Sequence, residues 1–196
     1  MSKILRISVL TIITTIAFLL MPAISNAYTV KSGDSMWKIA QQNSVSVLSL
    51  QNANNRSNSI IYPGENLLIP EAISASDKQL MAKLVHAEAK GEPYAGKVAV
   101  ATVILNRVDH KDFPDSVAGV IYETYNNGLF YAFSPVKDGA INQPADAESI
   151  SAVNEAIAFR GQGQGSIFFY NPETAVNKWI SSRQITIKIG NHVFAK

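Results

Sequence analysis

The chain has 196 residues, enough for one ordinary domain and a small module and too few for a large multidomain assembly. Hydrophobic residues make up 47% and charged residues 16%, so the chain can bury a core and lacks the polar profile of a disordered protein. Its 17 Lys+Arg against 15 Asp+Glu become 15 against 15 once Lys3 and Arg6 of the N-terminal segment are set aside; this excludes a basic nucleic-acid-binding stripe, and the lack of cysteine excludes disulfides, thiolate catalysis and cysteine-ligated zinc.

Residues 1–27 open with Lys3 and Arg6, continue through an apolar run from Ile7 to Met21, and close on Ser25-Asn26-Ala27. This is the pattern of a secretory signal peptide, with small residues at the third-last and last positions suiting cleavage after Ala27. The run is also long enough to stay as an uncleaved anchor, which is the one route by which a membrane becomes a partner. Either fate puts the remainder outside the cytoplasm. No glycine-rich phosphate loop followed by Lys-Ser or Lys-Thr argues for nucleotide chemistry.

From Tyr28 a short strand pattern turns at Ser32-Gly33-Asp34 and enters a helix that Ser35 or Asp34 can cap. A second short helix fits 47–53, a polar turn follows at 54–58, and residues 60–70 return as a turn and strand. The order is strand, helix, helix, strand. Tyr28-Thr29-Val30-Lys31-Ser32-Gly33-Asp34-Ser35 at one end and Tyr62-Pro63-Gly64-Glu65 with Leu67, Ile69 and Pro70 at the other resemble a LysM module, the small unit that binds peptidoglycan or chitin. Met36 stands where that family usually has Leu, a volume-conserving exchange. The resemblance implies that an N-acetylglucosamine chain lies along Gly33, Asp34, Ser35 and Met36 on one side and Ile60, Ile61 and Tyr62 on the other. Trp37, Ile39 and Leu50 read as the core of the same small unit.

Residues 71–76 form a brief linker, and a second domain spans 77–196. Ser76 or Asp77 can cap a helix whose apolar positions Leu80, Met81, Leu84 and Val85 recur at helical spacing and which Gly91 ends. Pro93 suits the first turn of the next helix, which is apolar nearly all round from Val98 to Leu105 and so belongs at the centre of the domain. Further helices fit 114–123 and 146–160, and strands fit 167–170 and 185–194. Residues 130–143 carry aromatics with Gly and Pro and no clear period, which reads as a cleft-lining loop. Gly161 to Gly165 stops a helix and turns the chain.

Glu88 follows Leu84 by four residues and Leu80 by eight, so an unbroken helix projects it from the face of those leucines. Desolvation raises a carboxyl's pKa, at about 1.4 kcal/mol per unit, so such a group persists where it is paired or where a protonated acid is useful. Glycoside cleavage uses one, since the general acid must still hold its proton near neutral pH. Two readings stay open: Glu88 as general acid, or Glu88 paired structurally with Arg107 or Lys90. Glu92 stands just before a helix, where the dipole favours the ionised form, and reads as a cap or as catalytic support. It leaves the chain too close to Glu88 for the pair to flank a scissile bond simply.

His86, Glu88, Gly91-Glu92-Pro93-Tyr94, the run from Val98 to Asn106-Arg107, Phe113-Pro114, Phe169-Tyr170-Asn171-Pro172, Trp179 and Gly190-Asn191-His192 resemble the spore cortex-lytic (SleB-type) family of cell-wall hydrolases. The resemblance spans roughly 77–196. It implies an α+β protein in which a small βααβ LysM module precedes a mostly helical, lysozyme-like catalytic domain with a small sheet. It also implies a lytic transglycosylase that cleaves the bond from N-acetylmuramic acid to N-acetylglucosamine with one essential glutamate, Glu88 by motif, and neither cofactor nor metal. Tyr170, Asn171, Trp179 and His192 fall in its later blocks and are expected to line the sugar cleft. The LysM module is a departure, because the cortex-lytic members carry a different binding repeat. The protein is thus expected to be secreted, wall-associated and monomeric, with peptidoglycan as partner. Two alternatives remain: a metal-dependent N-acetylmuramoyl-L-alanine amidase built from the three dispersed histidines, and a wall-binding protein without activity.

Overall fold

A computed structural model describes residues 26–175 and 179–196; the apolar run of the N-terminal segment lies outside the described residues. The N-terminal unit has the order β1 (Asn26–Thr29), α1 (Met36–Asn43), α2 (Val47–Ala53), β2 (Asn66–Ile69). Ser35 caps α1 by accepting from Lys38 N–H, and Ser46 caps α2 by accepting from Ser49 N–H. Strands β1 and β2 pair antiparallel, with Ala27 opposite Leu68 and Tyr28 opposite Leu67. Val30, Met36, Ile39, Leu50, Leu67 and Ile69 close a core between the helices and the two strands. Residues 60–65 do not join the strand, because Pro63-Gly64 turns there with a φ of 91° at Gly64.

The larger unit is built on α3 (Ala75–Glu88), α4 (Tyr94–Val108) and α7 (Ala147–Ala158), which pack on one another, with short α5 (Val117–Ile121) and α6 (Ser134–Asp138) at their ends. Ser74, not Ser76 or Asp77, caps α3, by accepting from Asp77 N–H. Helix α4 is the central element: Val100, Ala101, Val103, Ile104 and Leu105 are all fully buried, as its all-round apolar surface requires. A hairpin of β3 (Thr124–Tyr125) and β4 (Phe130–Tyr131) stands on one side. A three-stranded antiparallel sheet of β5 (Phe168–Tyr170), β6 (Ile185–Ile189) and β7 (His192–Ala195) has β7 in the middle. The expected 114–123 helix shrinks to α5 because Ser116 caps it by accepting from Gly119 N–H and the chain turns to strand at Thr124.

Overall the protein is mostly helical with small antiparallel sheets. The two units meet where α1 packs on α7. There Ser44, in a left-handed conformation, accepts Ile73 N–H on its carbonyl at 3.1 Å and Lys78 Nζ on its hydroxyl at 2.7 Å. No helix among the described residues is long and apolar enough to cross a membrane.

Candidate active site

Glu88 is the last residue of α3, one turn beyond Leu84 and Val85, whose side chains are fully buried. That placement carries its carboxyl to the edge of the core, where the N-terminal end of α6 meets it and the Ser134 backbone N–H and hydroxyl both favour its ionised form. Burial is the dominant influence and pushes the Glu88 pKa up to about 7; the Ser134 donors oppose it, the Asp138 charge on α6 adds to it, and the Arg107 charge draws it down. The balance leaves a carboxyl that carries a proton up to neutrality. Glu88 forms no ion pair among the described residues, so Arg107 acts on it through space rather than as a salt-bridge partner, and Lys90 does not pair with it.

Arg107 ends α4 inside an aromatic cage, its guanidinium 4.9 Å from the Phe133 ring centre, 5.1 Å from Phe113 and 5.8 Å from Phe168. Only 7% of the residue is exposed. Its Nε donates to the Ile167 carbonyl at 2.8 Å, while Nη1 is buried without a partner. Burial foremost lowers its pKa, with the Glu123 and Glu88 charges opposing. Beside it opens a cavity of about 510 Å³, lined by Arg107, Asp112, Phe113, Glu123, Tyr125, Tyr131, Ala132, Phe168 and Trp179. Glu88 is not in its wall, but the cavity adjoins it: Arg107 borders the one and acts on the other, and Ala132 lies two residues before Ser134.

The other anticipated residues divide. Trp179 lines the cavity, nearly half exposed, edge-on to Phe168 at 5.4 Å and over the Arg183 guanidinium at 3.9 Å. His192 does not line it: it is 8% exposed on the central strand, stacked with Phe169 and Phe194, its Nδ1 buried without a partner and its pKa lowered by burial. Tyr170 is half-buried on β5, and Asn171 folds back to form a turn, accepting on its side chain from Glu173 N–H. Neither borders the cavity. Glu92 does not cap α4, whose cap position is Pro93 without a side-chain bond. Its two carboxylate oxygens accept from the backbone and side-chain N–H groups of Asn191 at 3.0 Å, which pins the β6–β7 turn.

In the small unit Tyr62 and Ile60 are well exposed and Ile61 packs on the core. Met36, expected beside the glycan, is 1% exposed: its position in the first turn of α1 puts it on the stripe with Ile39 and Ala40. Asp34 accepts from Tyr28 OH and Lys31 N–H, Ser35 is occupied as a cap, and Gly33 supplies the positive φ of the turn, 85°. The histidines lie apart: His86 pairs with Asp146, His110 with Asp112, and His192 sits among the aromatics, so no three His, Asp or Glu side chains among the described residues converge as metal ligands.

Residues 91–195 match the model of the cell wall hydrolase family, and residues 28–70 match the LysM domain. The chain belongs to the cell wall hydrolase family. It is 44% identical over 126 residues to the spore cortex-lytic enzyme of Halalkalibacterium halodurans, covering 64% of this chain and 36% of that one. It is 43% identical over 128 residues to that of Bacillus cereus, covering 65% and 47%. The chain therefore spans less than half the length of these relatives. In three dimensions it resembles the catalytic domain of the germination-specific lytic transglycosylase SleB from Bacillus anthracis, with a TM-score of 0.57 at 43% identity, over 65% of this chain and all of that domain. Glu88 stands three residues ahead of the span that matches the family model.

Ser134, Glu123, Tyr125 and Tyr131 were not singled out by sequence reasoning. The only pointer to Ser134 and Tyr131 was the aperiodic, aromatic 130–143 stretch that holds them.

Proposed function

We propose that this protein is an exported, monomeric, wall-associated enzyme that cleaves the glycan strand of peptidoglycan as a lytic transglycosylase, with Glu88 as its single acid and base. The observation that carries the reading is a carboxyl buried enough to hold its proton to about pH 7, under the charge of an arginine that lines an aromatic cavity. The named activity of the similar B. anthracis domain supports it.

In the first step Glu88 gives its proton to the glycosidic oxygen, and the bond from that oxygen to the muramic C1 breaks as positive charge builds on the ring. The carboxylate left behind is favoured by the Ser134 N–H and hydroxyl and by the Arg107 charge, so both forms of Glu88 are provided for. In the second step that carboxylate takes the proton of the muramic C6 hydroxyl while O6 bonds to C1. The products are a 1,6-anhydro end and a regenerated acid, with no water consumed. Glu92, held by Asn191, has no part in this scheme. The LysM unit, through Ile60 and Tyr62, raises the local concentration of strand at a weakly binding catalytic unit.

The test is release of soluble sugar from purified peptidoglycan by the full chain, with Glu88→Gln beside it and a chelator in parallel. Release that is abolished by the substitution and indifferent to chelator is the expected result. Release that survives in Glu88→Gln refutes the assignment, and release of stem peptides in place of sugar refutes the glycosidic reading.

A further inference from the structure

The mechanism uses Glu88 and its neighbours but leaves the polar equipment of the adjoining cavity without a task. Arg107 is nine-tenths buried, and its one side-chain hydrogen bond among the described residues is Nε to the Ile167 carbonyl. A guanidinium has five N–H donors, and stacking among three phenyl rings satisfies none of them. Nη1 is buried without a partner, and Arg107, which borders the cavity, has no acceptor for its other amino group among the described residues. Burying unused donors of this kind is costly unless a ligand supplies an acceptor.

Glu123, which borders the same cavity and acts electrostatically on Arg107, presents the complementary group. Its Oε2 accepts from Tyr125 OH at 2.6 Å, and that bond fixes the carboxylate while leaving Oε1 without a hydrogen-bond partner among the described residues. One donor and one acceptor thus share a cavity with aromatic walls. Asp112 adds a second negative charge to the wall, so the site as a whole repels a free carboxylate such as an unsubstituted lactyl acid. A neutral amide has both complementary groups, a C=O for Arg107 and an N–H for Glu123, and a sugar ring beneath it supplies a face for Tyr131 or Trp179.

We infer that Arg107 and Glu123 together form an amide-reading site that recognises the N-acetyl group of an amino sugar, and that this site makes binding in the cavity depend on N-acetylation of the glycan. Both are specificity-determining residues. The inference rests on the glycan-cleaving reading, since a sugar strand must reach this cavity, but it does not depend on Glu88 being the acid.

The experiment is a binding measurement with the full chain carrying Glu88→Gln and Trp37→Phe, which leaves Trp179 in the cavity wall as the only tryptophan. The probes are the N-acetylglucosamine tetrasaccharide and the same tetrasaccharide fully N-deacetylated, read by Trp179 fluorescence at pH 6. The acetylated probe is expected to change the signal saturably and to bind at least tenfold more tightly than the deacetylated one. Glu123→Ala, at a partly exposed position that packing does not require, is expected to weaken the acetylated probe about tenfold and to reduce the discrimination to within about threefold. Arg107→Lys, checked for folding by circular dichroism, is expected to do the same.

Equal binding of the two probes overturns the inference, as does unchanged discrimination in Glu123→Ala. Tighter binding of the deacetylated probe would make Glu123 and Asp112 a site for an ammonium group instead, and also overturns it. A silent Trp179 with wall cleavage intact removes the cavity alone, whereas intact binding with an active Glu88→Gln removes the acid alone, so the two failures are distinguishable.

Discussion

Glu88→Gln has a consequence for stability as well as for activity, with a sign and a pH window. The Glu88 pKa rises from an ordinary 4.5 to about 7 on folding, chiefly because the carboxyl is buried. The folded state therefore holds this proton more tightly than the unfolded chain does. Its contribution is complete below about pH 4.5 and is lost as pH rises through about 7. At 1.36 kcal/mol per unit, the loss reaches about 3 kcal/mol by pH 8. Glutamine has nearly the shape of the protonated acid and no proton to lose. The variant should match the wild type at pH 4 and exceed it at pH 8 by about 3 kcal/mol, or roughly 10 °C in Tm for a chain of this size. Urea unfolding followed by circular dichroism at the two pH values measures it. The other titrating groups are common to both proteins and cancel in the difference. Parallel pH profiles, or a variant less stable at pH 8, would show that Glu88 ionises without penalty and would remove the physical basis for its role as an acid.

Three further outcomes follow from the same geometry. Ser134→Ala removes the hydroxyl that favours ionised Glu88 but keeps the backbone donor, so the alkaline limb of the pH–rate profile should move upward while KM stays near its wild-type value. Gly190→Ala should lower stability by about 1–3 kcal/mol in thermal melts, since an added Cβ would overlap Glu92 Oε2 and lie 2.8 Å from Pro93 Cδ at a φ of 57°. Tyr62→Ala, at a well-exposed position in the LysM unit, should reduce retention on insoluble wall about tenfold in a pull-down and leave the turnover of soluble fragments unchanged.

The parts of this molecule that were legible in the sequence are those governed by near neighbours. The Ser35 cap of α1, the all-round apolar character of α4 and the i to i+4 spacing of Leu84 and Glu88 are local patterns with local causes. Met36 shows such a pattern overridden by resemblance: its spacing from Ile39 and Ala40 already marks the buried stripe. Helix α6 was invisible because five residues between Phe133 and Gly139 are too few to establish a period. His192 misled for a different reason. All four residues of β7 are buried, because a central strand covered on both faces has no polar side to alternate with, and a histidine there is core. The partners of Glu88 and the cavity wall come from stretches far apart in the chain, and only folding brings Ser134 to Glu88 or Glu123 to Arg107.

The central claim is that a single protonated glutamate drives an internal transfer with no water consumed. Mass spectrometry of the fragments released from purified peptidoglycan by the full chain tests it most directly. Muramic ends one water lighter than a reducing sugar are expected, present from the earliest time point and absent with Glu88→Gln. Reducing ends as the first products would contradict it, because they require a water and a second group to activate it.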